Sequence, residues 1–249
     1  MPNPIKIKSY VDSLIDHGDH VYTVFIRPEG RFPRFKPGQF LHLTVDDFDP
    51  ASGFWPESRV FSIASRPGAE TIRIIYSVKG KYTAKMESYL KPGSMVWLKF
   101  PYGDFIIESK PETKRDLVLI AGGTGITPFI PFLESLSENR DSDREIILHY
   151  GVRKAKLILV DDLLERCLHQ VSGFRLQFTV ENEEEGFPDF SNTNIKKGFI
   201  DIEDILSESR GLNDPLYYIS GPPTMIRSFK AYLTTQSIPS DAIKTDEWE

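Results

Sequence analysis

The sequence is poor in cysteine, because Cys167 is the only one among 249 residues. A single thiol excludes a disulfide within the chain. It also excludes an iron–sulfur cluster held by the chain alone, because such clusters need about four thiolates. The five histidines show no metal-ligand spacing, so we expect no metal site. A chain without disulfides is typical of a reducing cytoplasm, which is the predicted location.

The sequence also lacks an excess of positive charge and long apolar runs. Its net charge of −6 argues against nucleic acids and anionic membrane surfaces as general partners. No apolar run approaches the length of a membrane span, and the first residues lack the apolar core of a signal peptide, so membrane insertion is not expected. With 40% hydrophobic and 27% charged residues, the composition is that of a globular protein long enough for two domains.

The first part of the chain is rich in β-branched and aromatic residues. Runs such as 21–26, 39–45 and 71–78 are separated by Pro, Gly and Asp clusters, which predicts several short strands. One helical stretch interrupts them, residues 84–90, with Thr83 as its expected N-cap. Short strands at this spacing indicate a small antiparallel β-barrel, which we assign to residues 1–108.

The second part, residues 114–249, has a different period. Predicted strands at 117–121, 145–150, 175–180 and 216–220 alternate with helical stretches near 128–138, 159–168, 201–207 and 223–234, and a last short strand is expected near 242–244. Alternating strands and helices predict an α/β Rossmann-like domain with a mostly parallel sheet. The polar passage between the two parts suits an exposed connection.

A glycine turn follows the first strand of this second domain. Residues 117–121 predict a buried strand, and Gly122, Gly123 and Gly125 then let the backbone approach a ligand closely. Thr127 is the expected N-cap of the next helix, with Pro128 at its first position. A strand, a glycine turn and a helix N-terminus form an anion site, so we expect a phosphate-bearing ligand here. The turn matches neither the Walker pattern nor G-x-G-x-x-G.

Three other motifs accompany the glycine turn, namely Arg59-Val60-Phe61-Ser62, Gly80-Lys81-Tyr82-Thr83 and Ser220-Gly221-Pro222-Pro223. In this order and spacing, the four motifs resemble those of the ferredoxin–NADP reductase superfamily across essentially the whole chain. That family pairs an antiparallel FAD-binding barrel with a nucleotide-binding α/β domain. The resemblance implies contacts to FAD from Arg59, Val60, Phe61, Ser62, Tyr76, Ser77, Val78, Gly80, Tyr82 and Thr83.

The expected roles of these FAD contacts have physical reasons. Arg59 offers a planar cation for the pyrophosphate, although a surface ion pair is the alternative for this side chain. Phe61 stands where the family usually has tyrosine against the flavin ring, and it keeps the stacking surface without the hydroxyl. By the resemblance, Ser62 contacts the flavin near N5, where a hydroxyl can donate or accept a hydrogen bond.

The same resemblance implies that Gly122, Gly123, Thr124, Gly125 and Thr127 bind the pyrophosphate of a nicotinamide dinucleotide. Ser220, Gly221 and Pro222 would line the nicotinamide pocket, and Ser220 replaces the usual cysteine of the family. Ser62 and Ser220 are the expected catalytic residues. Trp248 would cover the flavin or the adenine, or else pack on its own domain.

The choice of nicotinamide cofactor depends on the residues after the second and third strands of the α/β domain. Glu181 stands where NADP-specific relatives carry basic residues; a carboxylate repels a 2′-phosphate but accepts hydrogen bonds from ribose hydroxyls. Arg153 is the opposing observation, since it could approach the same region. The sequence favours NADH and leaves NADPH open.

The function implied by the resemblance is that of a flavoprotein oxidoreductase. Hydride would pass from NAD(P)H to bound FAD, and the electrons would go to a separate acceptor such as a ferredoxin, a flavodoxin, an oxygenase component or a small oxidant. One alternative is an NAD(P)H:flavin reductase that uses flavin as a substrate; the phosphate site at Gly80–Thr83 argues against it. A second alternative, left open by Phe61 and Ser220, is a non-catalytic redox-sensing or electron-transfer subunit.

Overall fold

The computed structural model describes residues 3–107, 114–139, 143–182, 190 and 193–247. The chain divides into two compact units, residues 1–107 and residues 108–249. Each unit has its own sheet of six strands.

The first unit is an antiparallel barrel. Its strands are β1 (Ile5–Asp16), β2 (Val21–Pro28), β3 (Phe40–Thr44), β4 (Arg59–Ser62), β5 (Ile72–Ser77) and β6 (Met95–Tyr102). They lie in the order β4-β3-β6-β1-β2-β5. The backbone N–H of Ala64, just after β4, donates to the carbonyl of Arg73 on β5 at 2.8 Å, which brings the two edge strands together. The predicted antiparallel β-barrel is confirmed.

Helix α1 (Lys81–Tyr89) packs on this barrel through Tyr82 and Met86, which belong to its buried core. The expectation that Thr83 is the N-cap was wrong. The N-cap is Gly80, which has no side chain to satisfy the free N–H groups, and Thr83 is the third helical residue. Its hydroxyl reaches back and accepts hydrogen bonds from the N–H groups of Lys79 at 2.9 Å and Gly80 at 3.1 Å.

The second unit has a parallel sheet of six strands in the order β10-β9-β8-β7-β11-β12. The strands are β7 (Leu117–Gly122), β8 (Ile146–Lys154), β9 (Phe174–Asn182), β10 (Asn194–Lys197), β11 (Leu216–Ser220) and β12 (Ile243–Thr245). The helices are α2 (Ile130–Asn139), α3 (Asp161–Gln170), α4 (Ile202–Ser209) and α5 (Pro223–Thr235). The predicted α/β Rossmann-like domain is confirmed. Strand β10 was not predicted, because four residues at a sheet edge give too short a pattern.

Strand β7 lies inside the parallel sheet and is covered on both faces. Val118, Leu119 and Ile120 are fully buried, although successive strand side chains point to opposite faces. Helices α4 and α5 cover one face, where Ile205 and Ile226 pack with Val118 and Ile120. The glycine turn that follows β7 is therefore held by a rigid strand.

Within the described residues, no helix has both the length and the apolar character needed to span a membrane. The same part of the chain contains no group of three or more His, Cys, Asp or Glu side chains that could hold a metal ion. Cys167 is buried on α3, where burial raises the pKa of its thiol to about 12. A thiol with such a pKa is not a nucleophile near neutral pH.

A buried histidine lies on the parallel sheet, next to a charged cluster. The side chain of His149 on β8 is 3% exposed, and its Nε2 lies 3.7 Å from Oε2 of Glu208 on α4. Lys196 on β10 bonds Asp204 and Glu208 at 2.9 and 3.3 Å. Burial, followed by the positive charges of Lys196 and Arg175, lowers the pKa of His149 to about 4.

We expect this histidine to make the stability of the protein depend on pH. The unfolded chain protonates it near pH 6.5 and the folded chain near pH 4, so the unfolded state binds more protons between these values. The contribution of neutral His149 to the free energy of unfolding is therefore fully present above about pH 6.5. It is lost as the pH is lowered toward 4, which reduces the free energy of unfolding by up to roughly 3 kcal/mol. Urea unfolding at a series of pH values measures this loss.

His149→Gln should flatten the pH dependence of the free energy of unfolding between pH 4 and 6.5. The matched substitution is His169→Gln at an exposed position of α3, which should keep the wild-type pH dependence. Equal slopes for wild type and His149→Gln would contradict the assignment.

Candidate functional site

The glycine turn after β7 leads directly into a helical run. A 3-10 helix spans Gly123–Phe129, with Gly122 as its N-cap, and α2 continues from Ile130. The expectation that Thr127 caps this helix was wrong, because the helix begins four residues earlier and Thr127 is buried within it. Its hydroxyl donates to the carbonyl of Thr124 at 2.6 Å. A Cβ at Gly123 would meet no described atom within 4 Å, so the backbone there faces open space.

The loops after β7 and β11 pack against each other with almost no space between them. A Cβ on Gly125 would lie 2.3 Å from the carbonyl oxygen of Ser220, and a Cβ on Gly122 would lie 2.8 Å from Cδ of Pro222. Only glycine permits this approach. The strand order reverses between β7 and β11, and ligands of open α/β sheets bind at the carboxyl ends of strands at such a reversal. The two loops therefore form one candidate ligand site.

Ser220 has a partner that the sequence did not indicate. Its hydroxyl donates to Oδ2 of Asp246 at 2.9 Å, and both residues are buried, at 2% and 5% exposure. Asp246 follows β12, which pairs in parallel with β11 so that Thr245 is opposite Ile219. This register places Asp246 beside Ser220, and the sequence alone does not show it. With its proton committed to the carboxylate, the Ser220 hydroxyl offers its lone pairs to a ligand.

Arg153 and Glu181 also lie at the carboxyl ends of the strands. Strands β8 and β9 pair in register at Val152–Val180 and Lys154–Asn182, so the two residues are neighbours on adjacent strands. The ring of Phe199, which is 78% exposed, follows β10 at the same edge, and Ile200 packs over Gly151.

Trp248, which the sequence predicts to cover the flavin or the adenine, lies outside the described residues.

In the barrel unit, Arg59 lies at the first turn of α1. Its guanidinium carbon is 4.5 Å from the centre of the Tyr82 ring, Nη1 donates to the carbonyl of Ser58, and Nη2 contacts Glu57, both at 2.8 Å. The buried Tyr82 hydroxyl donates to the carbonyl of Glu57 at 2.8 Å. A Cβ on Gly80 would meet no described atom within 4 Å. A cation held beside a helix N-terminus, with open space at Gly80, is an arrangement that can bind an anion.

Strands β4 and β5 bring the remaining predicted FAD contacts together. The rings of Phe61 and Tyr76 are 6.0 Å apart, and Ser62 is 7% exposed at the end of β4. Val60 and Ser77 are half-buried on the same two strands, and Val78 follows, with its N–H bonded to the carbonyl of His20 at 3.0 Å.

Tyr76 carries a buried hydroxyl that has no hydrogen-bond partner among the described residues. Burial raises the pKa of Tyr76, so this hydroxyl stays protonated and able to donate. A buried polar group without a partner is uncommon in folded proteins, because it costs free energy comparable to a lost hydrogen bond. The Tyr76 hydroxyl therefore fits a polar atom of a ligand beside Phe61.

Comparison with known proteins identifies the second unit. Residues 119–231 match the family described as the oxidoreductase NAD-binding domain. This stretch runs from β7 into α5 and includes both glycine loops.

Three relatives show the extent of the similarity. The 2-halobenzoate 1,2-dioxygenase electron transfer component of Burkholderia cepacia is 26% identical over 222 residues, which cover 87% of this chain and 59% of the relative. A solved cytochrome P450 reductase from Amycolatopsis gives a TM-score of 0.80 at 20% identity, over 98% of this chain and 70% of that one. A ferredoxin NADP+ reductase from Neisseria gonorrhoeae, solved with bound FAD and NADP, gives 0.73 at 19% identity over 99% of both chains. The solved structures share the fold, and this chain spans less than two thirds of the curated relative.

We expect Gly125→Ala to destabilise the protein by about 1–3 kcal/mol, the usual cost of overpacking. The added Cβ would lie 2.3 Å from the backbone oxygen of Ser220, which cannot move as a flexible side chain can. Gly211→Ala is the matched control, because a Cβ there meets no described atom within 4 Å. Chemical unfolding of both variants measures the difference, and equal stabilities would show that the two loops do not pack this closely.

Proposed function

We propose that this chain is a member of the ferredoxin–NADP reductase superfamily and acts as an FAD-dependent NAD(P)H oxidoreductase that supplies electrons to a separate acceptor. The resemblance indicated by the four sequence motifs is supported by the match of residues 119–231 to the NAD-binding domain and by the two-domain fold. The observation that carries the function is the pair of candidate anion sites at helix N-termini, one in each unit. Each unit also holds a residue expected to contact a redox ring, Phe61 for the flavin and Ser220 for the nicotinamide.

FAD fits the barrel unit. Arg59 and the backbone N–H groups at the start of α1 would hold its pyrophosphate, as the stacked guanidinium and the open position at Gly80 indicate. Phe61 would contact the flavin ring. The hydroxyl of Tyr76, for which the described residues provide no partner, would donate to a polar atom of the cofactor. When bound, FAD would supply the chemistry of accepting a hydride from NAD(P)H and releasing the electrons.

The residues of this chain would bind and orient the reacting groups. Gly123 and its neighbours would hold the dinucleotide pyrophosphate at the start of the 3-10 helix. Ser220 would accept a hydrogen bond from the nicotinamide carboxamide, because its own O–H already donates to Asp246. Ser62, held at the end of β4, would place its hydroxyl against the flavin. Asp246 joins Ser220 as a positioning residue in this proposal.

NADH is the preferred donor in this proposal. Glu181 is half-buried and Arg153 is exposed, and both lie at the strand ends where the dinucleotide would bind. The Glu181 carboxylate would accept hydrogen bonds from the adenosine ribose and repel a 2′-phosphate. The exposed ring of Phe199 at the same edge offers a stacking surface for the adenine.

The electron acceptor would be a separate protein or a small oxidant. A chain with one cysteine holds no iron–sulfur cluster by itself, so the electrons must leave it. The relative from Burkholderia is an electron transfer component of a dioxygenase, which supports an oxygenase component or a ferredoxin as the acceptor. A cytoplasmic location, inferred from the thiol-poor sequence, is part of the proposal.

The test of this function uses the purified chain incubated with FAD and then freed of unbound flavin. We expect a yellow protein whose flavin absorbance is bleached by NADH under anaerobic conditions and restored by an added acceptor. A protein that retains no FAD would contradict bound flavin and favour a flavin reductase. A yellow protein that neither NADH nor NADPH bleaches would favour a non-catalytic subunit.

Glu181→Arg should raise the ratio of kcat/KM for NADPH to that for NADH by roughly 10-fold or more, because a repelling carboxylate is replaced by a cation that pairs with the 2′-phosphate. Steady-state rates with both donors measure the ratio. Arg175→Glu changes an exposed charge at the opposite end of β9 and should leave the ratio unchanged. A ratio unchanged in Glu181→Arg would mean that Glu181 does not face the ribose.

A further inference from the structure

We propose that the loop between β3 and β4, residues 46–58, binds the adenosine half of FAD and that Phe54 stacks on the adenine. This loop would then make the chain selective for FAD over FMN. The inference rests on the proposed function, since it extends the flavin site in the barrel unit. It arises from an exposed aromatic ring that the sequence motifs did not explain.

Phe54 combines a highly exposed aromatic side chain with an ordered backbone. Its side chain is 73% exposed, yet the backbone that carries it is ordered by local hydrogen bonds. Asp49 caps a short 3-10 turn by accepting from the N–H of Ala51 at 2.9 Å. Gly53 then turns the chain with φ +70, and the N–H of Phe54 donates to the hydroxyl of Ser52 at 3.3 Å. The ring is thus presented to solvent by a structured turn.

The next residue fastens this turn to the barrel. Nε1 of Trp55 donates to the hydroxyl of Ser58 at 3.1 Å, and its ring meets that of Phe48 edge-on, with the centroids 5.2 Å apart. Phe48 meets Trp97 of β6 in the same way at 5.0 Å. The backbone that carries Phe54 is therefore anchored beside a packed aromatic cluster, which reduces the conformational freedom that the loop would lose on binding a ligand.

Both ends of the loop are tied to α1, where the pyrophosphate is proposed to bind. The hydroxyl of Tyr82 accepts from the N–H of Val45 at 3.1 Å and donates to the carbonyl of Glu57 at 2.8 Å. Lys85, one turn further along α1, forms an ion pair with Asp46. The loop consequently runs beside the first turns of α1 and the guanidinium of Arg59.

The direction of β4 shows which part of a dinucleotide would reach the loop. Ser62 would face the flavin ring and Arg59 the pyrophosphate, three residues earlier on the same strand, or about 10 Å away. Continuing in the same direction beyond Arg59 leads to Glu57, Trp55 and Phe54. FAD extends past its pyrophosphate into adenosine, whereas FMN ends at its phosphate. Only FAD would contact this loop.

The charges of the loop suit a neutral nucleoside. The carboxylates of Asp47, Asp49 and Glu57 are exposed, and they would repel a further phosphate while accepting hydrogen bonds from ribose hydroxyls or the adenine amino group. An aromatic ring that stacks on a base strengthens binding by about 1–3 kcal/mol. This corresponds to a factor of roughly 5 to 150 in the dissociation constant.

The experiment compares the affinities of the flavin-free chain for FAD and for FMN, measured by the change in flavin fluorescence on titration. Phe54→Ala should weaken FAD binding about tenfold or more and leave FMN binding unchanged, because FMN has no adenosine. Phe54→Trp should retain the affinity for FAD. Ile15→Ala, which removes an exposed apolar side chain from β1 of the same unit, should change neither affinity.

The outcomes separate this inference from the function on which it rests. If the wild-type chain binds neither flavin, the proposed function fails. If it binds both and Phe54→Ala leaves the affinity for FAD unchanged, only the adenosine assignment is overturned. An equal loss for FAD and FMN in Phe54→Ala would also overturn it, because the loop would then support the site without contacting adenosine.

Discussion

The close packing of two glycine loops is the constraint on which the nucleotide-binding unit depends. Strands β7 and β11 pair in parallel from Leu117–Leu216 to Ala121–Ser220. The loops that follow the two strands therefore begin side by side at the same edge of the sheet. A side chain on Gly125 would overlap the backbone of Ser220. Because the two backbones meet this closely, the start of the 3-10 helix and the Ser220 hydroxyl are held in one fixed arrangement. A site for a dinucleotide needs that arrangement, since its pyrophosphate and its nicotinamide must be bound at once.

In the barrel unit, the aromatic side chain of Tyr82 holds the elements of the proposed flavin site together. The hydroxyl of Tyr82 bonds the backbone of Val45 and Glu57, at the two ends of the loop between β3 and β4, and its ring faces Arg59. One side chain thus joins helix α1, strand β4 and the loop between β3 and β4. Glu57 shares the Arg59 guanidinium, which keeps the cation in place while its other N–H groups remain able to bind a phosphate. The exposed ion pair that was the alternative role of Arg59 therefore coexists with the proposed one.

The predictions from sequence succeeded where a local pattern was long and failed where a single residue had to be assigned. Apart from β10, the strands and helices of the second unit were predicted within a few residues of their bounds. Buried parallel strands give continuous apolar runs, which are easily recognised. Thr83 and Thr127 were both expected at helix N-caps, and in both cases a glycine further upstream begins the helix. A glycine N-cap leaves no side-chain signal, so the first threonine in reach was assigned instead.

The sequence by itself determined the two-domain architecture and the positions of the four motifs, because hydrophobic period and glycine placement act locally. The tertiary structure decided which side chains meet. The pairing of Ser220 with Asp246 depends on β12 lying beside β11, and the position of Glu181 beside Arg153 depends on the register of β8 and β9. The Tyr76 hydroxyl, which has no hydrogen-bond partner in the described part of the chain, and the exposed ring of Phe54 could not be recognised from a local sequence pattern either. The two pairings and the burial of Tyr76 are set by contacts between residues far apart in the chain, which only the packed fold brings together.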